Sequence, residues 1–362
     1  MALPYHRLVV KIGSNVLTQA NGTPDLARIA HLVEQIATLK QPGREVIVVS
    51  SGAVAAGRSL VQVTDKADAV SSRQLLAAVG QVKLLTTYAE LLARHQLTCA
   101  QVLVTKEDFR DRQHYRNMQN CFRALLQNNI IPIVNENDVI SVTELMFTDN
   151  DELAGLLAAM LDADALLILS NVDGIYDGDP KDPSSHVIRE IGPDTPDFSA
   201  FVTTQRSQFG RGGMITKCHM AHKVAQLGIA VHIANGKTEN VLPRVLSGEV
   251  VNTRFLPSRT ASGRKKWLAH AEPAAKGTVR LNAGACAALN TPGKATSLLP
   301  VGVVTVEGEF EKGDIIRLLA EDGRAVGLGM AEYDATQARE RLGQQQQKPL
   351  VHYDYLFLNA DI

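Results

Sequence analysis

No two cysteines in this chain lie close enough to form a CxxC pair: Cys99, Cys121, Cys218 and Cys286 stand far apart. That spacing argues against a zinc site or a disulfide framework and suits a reducing compartment. Net charge is nearly absent, with 37 basic against 38 acidic residues. The chain therefore has no global field to recruit nucleic acid or a membrane surface. No stretch approaches 18 apolar residues, so no membrane-spanning helix and no membrane partner are expected. The opening MALPYHRLVVKIG lacks a long apolar h-region, so no signal peptide is expected and the cytoplasm is the default location. Two phosphate-binding motifs are also missing. Neither G-x-x-x-x-G-K-[ST] nor G-x-G-x-x-G occurs, which leaves Walker-type and NAD-type readings without support.

What is present is a chain of 362 residues, 45% hydrophobic and 21% charged, long enough for two domains and a full core. Residues 1–235 alternate short apolar runs with longer helical patterns, and the domain they build is read as residues 1–257. The runs are Leu8–Val10, Val46–Val49, Ile130–Val134, Leu166–Leu169 and Ala230–Ala234. Each is apolar on consecutive rather than alternate residues, as strands buried on both faces are. Helical stretches such as Ser72–Arg94 and Asp151–Leu161 separate them. The pattern predicts an α/β fold with an open, mainly parallel sheet sandwiched by helices. Residues 258–275 are polar, basic and breaker-rich, and read as a linker. Residues 276–354 carry short β-prone runs between glycine turns, which predicts a small, mostly β barrel, and 355–362 form a tail.

Ligands of open parallel sheets bind beyond the carboxyl ends of the strands, so the residues there carry the chemistry. Lys11-Ile12-Gly13 ends the first run: a lysine beside a flexible turn reaches a phosphate, though a surface lysine at an ordinary turn is the competing reading. Ser50-Ser51-Gly52 opens a helix and suits a carboxylate or a phosphate; taken alone, a plain serine cap is the better reading. Asn135-Glu136-Asn137-Asp138 follows IIPIV and suits a substrate ammonium, or a polar turn. Asp149-Asn150-Asp151 precedes an apolar helix; capping explains one of these acids, and a second has another task, such as orienting lysines. Ser170-Asn171-Val172-Asp173-Gly174-Ile175-Tyr176 suits an adenine floor or a turn. Gly210-Arg211-Gly212-Gly213-Met214-Ile215-Thr216-Lys217 leads into a helix and suits a polyphosphate, with a flexible linker as the alternative.

Taken in order, VVKIGSNVL, VVSSGAVAAG, IPIVNENDVIS, FTDNDELA, SNVDGIYDGDP and GRGGMITK resemble the amino acid kinase family. The IPIVNENDVIS stretch points within it to the branch that phosphorylates the side-chain carboxylate of glutamate. SLLPVGVVTVEGEFEKGDIIRL is similar to a PUA domain. The resemblance implies ATP-dependent transfer to the γ-carboxylate of L-glutamate, giving glutamyl 5-phosphate, the first step of proline biosynthesis. It implies that Lys11 and Lys217 neutralise the transferring phosphoryl group and that Asp151 orients both. It gives glutamate to Ser51, Asp138 and Asn150. It gives ATP to Lys11, Ser170, Asn171, Arg211, Gly212, Gly213, Met214, Ile215, Thr216 and Lys217, with Mg²⁺ bridging the phosphates. It also implies a homo-oligomer, dimer or tetramer, and proline as a feedback inhibitor.

Thr148, Asn171 and Arg211 depart from the family's usual Gly, Asp and Thr, which bears on nucleotide affinity more than on reaction type. Another amino acid as substrate is one alternative. RNA binding through the PUA-like domain is another, but residues 263–362 hold twelve basic and twelve acidic residues, without the basic excess such modules carry.

Overall fold

Consecutive apolar residues do form strands buried on both faces. A computed structural model of the chain describes residues 5–63, 68–141, 147, 149–180, 182–193, 195, 213–258, 275–289, 291 and 296–358. The chain divides into two compact units, the first of residues 1–108 and 112–260, the second of residues 261–362 together with 109–111. The linker expected at 258–275 falls almost wholly outside the described residues, as do Thr148, Arg211 and Gly212.

The first unit begins with β1 (Arg7–Ile12), the short α1 (Ser14–Leu17), α2 (Leu26–Leu39) and β2 (Glu45–Ser50). It continues with α3 (Ala53–Arg58), α4 (Ala69–Ala93), β3 (Cys99–Val104), α5 (Lys106–Arg110), α6 (Arg112–Gln127) and β4 (Ile131–Glu136). Then come α7 (Asn150–Met160), β5 (Ala165–Ser170), β6 (Glu190–Ile191), α8 (Met214–Gln226), β7 (Ala230–Asn235), α9 (Val241–Ser247) and β8 (Asn252–Phe255). The strands form one sheet in the order β3-β4-β2-β1-β5-β7-β8-β6, parallel except where β8 runs against β7. β1 pairs with β2 on one side and β5 on the other, so the chain changes direction of travel there. Loops leaving β1 and β5 diverge at this switch point and open a crevice.

The core explains the register. Leu8, Val9, Val10 and Ile12 of β1 are fully buried between helices, and so is the whole of β5. α4 has 25 residues and is long and apolar enough to cross a membrane by composition. One face of it, with Leu76, Leu84, Tyr88 and Leu92, is buried in the core, while Val70, Leu75 and Val82 are exposed. It crosses α3 at contact distance between backbones. A Cβ on Gly80 would lie 1.8 Å from the Ala53 carbonyl oxygen, and one on Gly57 would lie 2.0 Å from that of Leu76. Only glycine permits this crossing, which fixes the start of α3 over the sheet edge.

The second unit holds β9 (Gly277–Leu281), α10 (Ala283–Leu289), β10 (Val303–Gly308), β11 (Ile315–Ala320), β12 (Ala325–Ala331), α11 (Ala335–Glu340) and β13 (Val351–Leu358). Its strands form a five-stranded sheet in the order β10-β9-β11-β12-β13 around a separate core that includes Val279, Ile316, Leu318, Val326 and Leu356. β13 extends past residue 354, so the strand takes in the first part of the expected tail. Its sequence, VHYDYLFL, mixes polar and aromatic residues and hides the strand from a search for apolar runs.

Candidate functional site

The polar residues that end the central strands converge on a single cleft of about 510 Å³. It is lined by Lys11, Gly13, Ser51, Asn135, Asp138, Asn150, Ser170 and Lys217, among others. Lys11 is the penultimate residue of β1, buried, with its ammonium 2.6 Å from Asp151 Oδ1. Lys217, one turn into α8, donates to the other oxygen, Asp151 Oδ2. Asp151 is only 1% exposed. A carboxylate that deep needs paired charges, and two ammonium groups supply them.

The three acidic or amide residues at the start of α7 divide the work. Asp149 is the N-cap and accepts from the Asp151 and Glu152 amides at 2.9 and 3.1 Å. Asp151 points inward to the lysines. Asn150 donates to Ser51 Oγ at 2.8 Å and to Asn135 Oδ1 at 3.0 Å, tying the loop after β2 to the end of β4. Gly52 sits between Ser51 and α3 at φ +105°, a conformation that an L side chain would strain.

Electrostatics follow from this geometry. Burial would raise the Asp151 carboxyl, but the two ammonium groups outweigh it and hold the group well below the carboxylate range. Burial pushes Lys11 down, against the pull of Asp151. Burial also opposes the charge on Lys217, yet Asp151 and Asp149 together raise it. Asp149 is raised by burial and by the neighbouring Asp151. Two cations sharing one carboxylate leave positive charge for an incoming anion.

Asp138 is buried and takes both Arg73 Nη2 (2.5 Å) and Nε (3.2 Å) on its Oδ1. Arg73 belongs to α4, and sequence reading missed it. Gln81, which accepts from Asn135 at 3.0 Å, was missed for the same reason, because polar residues on a helix read as solvated. Glu136 accepts the Phe147 amide at 2.9 Å, and burial pushes its carboxyl up to about 7.

Ser170 and Asn171 line the cleft at the end of β5, in contact with each other at 3.4 Å. Gly213 is the cap residue of α8, and Met214, Ile215 and Thr216 form its first turn. Gly174 packs closely on Thr253, and Asp173 accepts from Asn235 at 3.0 Å, so the turn after β5 is anchored to β7 and β8.

Known proteins give this arrangement a context. The amino acid kinase family model matches residues 6–235, and the PUA domain model matches residues 277–353. A protein named glutamate 5-kinase from Chlorobaculum tepidum is 52% identical over 354 residues, covering 98% of each chain. One of the same name from Bacteroides thetaiotaomicron is 53% identical over 361 residues, 99% of this chain and 100% of that one. In fold, the chain is similar to carbamate kinase from Giardia lamblia bound to AMP-PNP, with a TM-score of 0.50 at 18% identity, over 70% of this chain and 99% of that one. The chain belongs to the amino acid kinase family, and a PUA domain follows its kinase domain.

Proposed function

We propose that this chain transfers the γ-phosphoryl group of ATP to the γ-carboxylate of L-glutamate, giving glutamyl 5-phosphate at the head of proline synthesis. The observation that carries the reading is the buried Lys11–Asp151–Lys217 arrangement beside the Ser51–Asn150–Asp138 cluster in one cleft. The near-full-length similarity to proteins named glutamate 5-kinase supports the choice of acceptor.

A carboxylate acceptor is already ionised at neutral pH, so no general base is required. The work is in-line positioning and stabilisation of charge on the phosphoryl oxygens. Lys11 and Lys217 present ammonium groups to those oxygens, and Asp151 keeps two mutually repelling cations in place. Ser51, Asn150 and Asp138 hold glutamate. Ser170, Asn171 and the segment from Arg211 to Lys217 hold ATP, with the α8 amide end facing phosphate.

The donor set suits a Mg²⁺ ion that arrives with the nucleotide. No cluster of three or more His, Cys, Asp or Glu side chains occurs among the described residues. Mg²⁺ needs only one or two carboxylates beside phosphate and water, and Asp149, with Oδ2 buried and unpartnered at the cleft, offers one. When bound, the ion would add positive charge beside the transferring phosphate. Self-association and inhibition by proline complete the reading, on the strength of the same family resemblance.

The test is ADP release by the full chain with Mg²⁺ and a panel of glutamate, aspartate, N-acetylglutamate, carbamate and UMP. Hydroxylamine in the assay traps an acyl phosphate as a hydroxamate. Glutamate should give both ADP and hydroxamate; a preference for another acceptor refutes the proposal.

A further inference from the structure

Arg73 reaches the cleft from α4 rather than from a strand end, and its contacts are unusual. An arginine paired with a carboxylate commonly engages both oxygens through its planar fork. Here Nη2 and Nε both donate to one oxygen, Asp138 Oδ1, at 2.5 and 3.2 Å. Asp138 Oδ2 and Arg73 Nη1 have no hydrogen-bond partner among the described residues. Both residues line the cleft, with Asp138 9% exposed and the arginine side chain 36% exposed. The pair thus leaves one acceptor and one cationic donor unengaged at the cleft.

An α-amino acid carries the complementary pattern, an ammonium and a carboxylate on a single carbon. We infer that Arg73 and Asp138 together clamp the zwitterionic end of the substrate: Asp138 Oδ2 accepts from the α-ammonium and Arg73 Nη1 donates to the α-carboxylate. Arg73 is then the residue that selects a free α-carboxylate, in addition to holding Asp138.

Two observations support this division. First, Asn150, next in sequence to the lysines' partner Asp151, hydrogen-bonds Ser51 and also Asn135, three residues before Asp138, so an amide–hydroxyl bridge links the transfer groups to the strand end that carries the clamp. An acceptor whose reacting carboxylate meets the lysines needs separate recognition at its other end. Second, the acid behind Arg73 is Glu136, with Oε2 4.0 Å from Nη2. Burial pushes that carboxyl up to about 7, so at neutral pH it carries much less than a full negative charge. With Glu136 partly neutralised, Arg73 and Asp138 stand as a near-neutral pair, which a zwitterion can join without adding net charge.

The inference rests on glutamate as the acceptor, and the experiment separates the two. The full chain and its Arg73→Gln and Arg73→Lys variants are assayed by ADP release with glutamate and with glutamate α-amide, which keeps the ammonium and the γ-carboxylate but has no α-carboxylate. Wild type should favour glutamate. Arg73→Gln should lose roughly 10- to 100-fold in kcat/KM for glutamate, mostly through KM, the usual scale for a hydrogen bond between charged groups. The same variant should lose distinctly less on the α-amide, where only the hold on Asp138 is at stake, so the preference for glutamate narrows; Arg73→Lys, which keeps the charge without the fork, should fall between. Equal losses on both substrates would show that Arg73 acts only through Asp138 and would overturn the inference, as would a wild type indifferent to the α-carboxylate. A wild type active on another acceptor and not on glutamate would overturn the proposed function and the clamp with it.

Discussion

Asp151→Asn removes one charge and almost no volume, and its expected effect is specific. Asp151 reaches each ammonium group with a separate oxygen. At an effective dielectric near 20, opposite unit charges about 4 Å apart attract by about 4 kcal/mol. Without that attraction two lysines face each other with no shared counter-ion. A misplaced charge contact at a transferring group costs roughly 3–4 kcal/mol, or about 10²–10³ in kcat. The pH profile carries the sharper signature. Burial already lowers Lys11, and Asp151 is the main group opposing that burial. With the carboxylate gone, Lys11 gives up its proton at lower pH, so the alkaline limb of kcat should move down by more than about one pH unit. The variant should recover part of its rate on acidification, where wild type gains nothing. Steady-state kinetics from pH 6 to 10, with circular dichroism to confirm folding, decide the matter. An unmoved alkaline limb, or a change confined to the KM for glutamate, would refute the role given to Asp151.

The same geometry makes Lys11→Ala and Lys217→Ala non-additive: each should lower kcat more than it raises KM, and the double variant should cost less than the product of the singles. Normal kcat in Lys217→Ala would remove that residue from the reaction. His232 of β7 is buried against Tyr5 and Asn252, and burial pushes it down to about 4. The unfolded chain therefore takes up this proton first as pH falls, so stability is full above about 6.5 and declines toward 4, by about 3 kcal/mol in total. Denaturant midpoints of wild type and His232→Gln across that range measure it, and parallel curves would contradict it. Gly80→Ala places a methyl group against the Ala53 carbonyl, forcing α3 and α4 apart. It should cost about 3 kcal/mol or more and raise the KM for glutamate, because Ser51 sits at the start of α3; a variant with a wild-type melting temperature would argue that the crossing adapts.

The legible parts of this chain are those in which one local feature forces one outcome. Strands buried on both faces have to be apolar at consecutive positions, so β1, β2, β4, β5 and β7 stood out. β3 did not, because it lies at the sheet edge and leaves all of CAQVLV but its last residue exposed or half-buried. β13 was hidden for a related reason, since its polar and aromatic residues break up any apolar run. The strand-end residues were legible as candidates because turns that leave a parallel sheet seldom carry lysine, serine, amides and acids in succession by chance. Their assembly was not legible. Asp149, Asn150 and Asp151 read alike as helix-start residues, and only the fold makes one a cap, one a bridge and one the partner of two lysines. Arg73 shows the limit most clearly. In sequence it is a polar residue on an apolar helix, and such residues usually face water. It reaches Asp138, 65 positions away, because two glycines let α4 lie against α3 at the sheet edge. The signal for Arg73 is therefore in Gly57 and Gly80, residues with no chemistry of their own. A search for this site's specificity should begin from the backbone contact that those glycines allow.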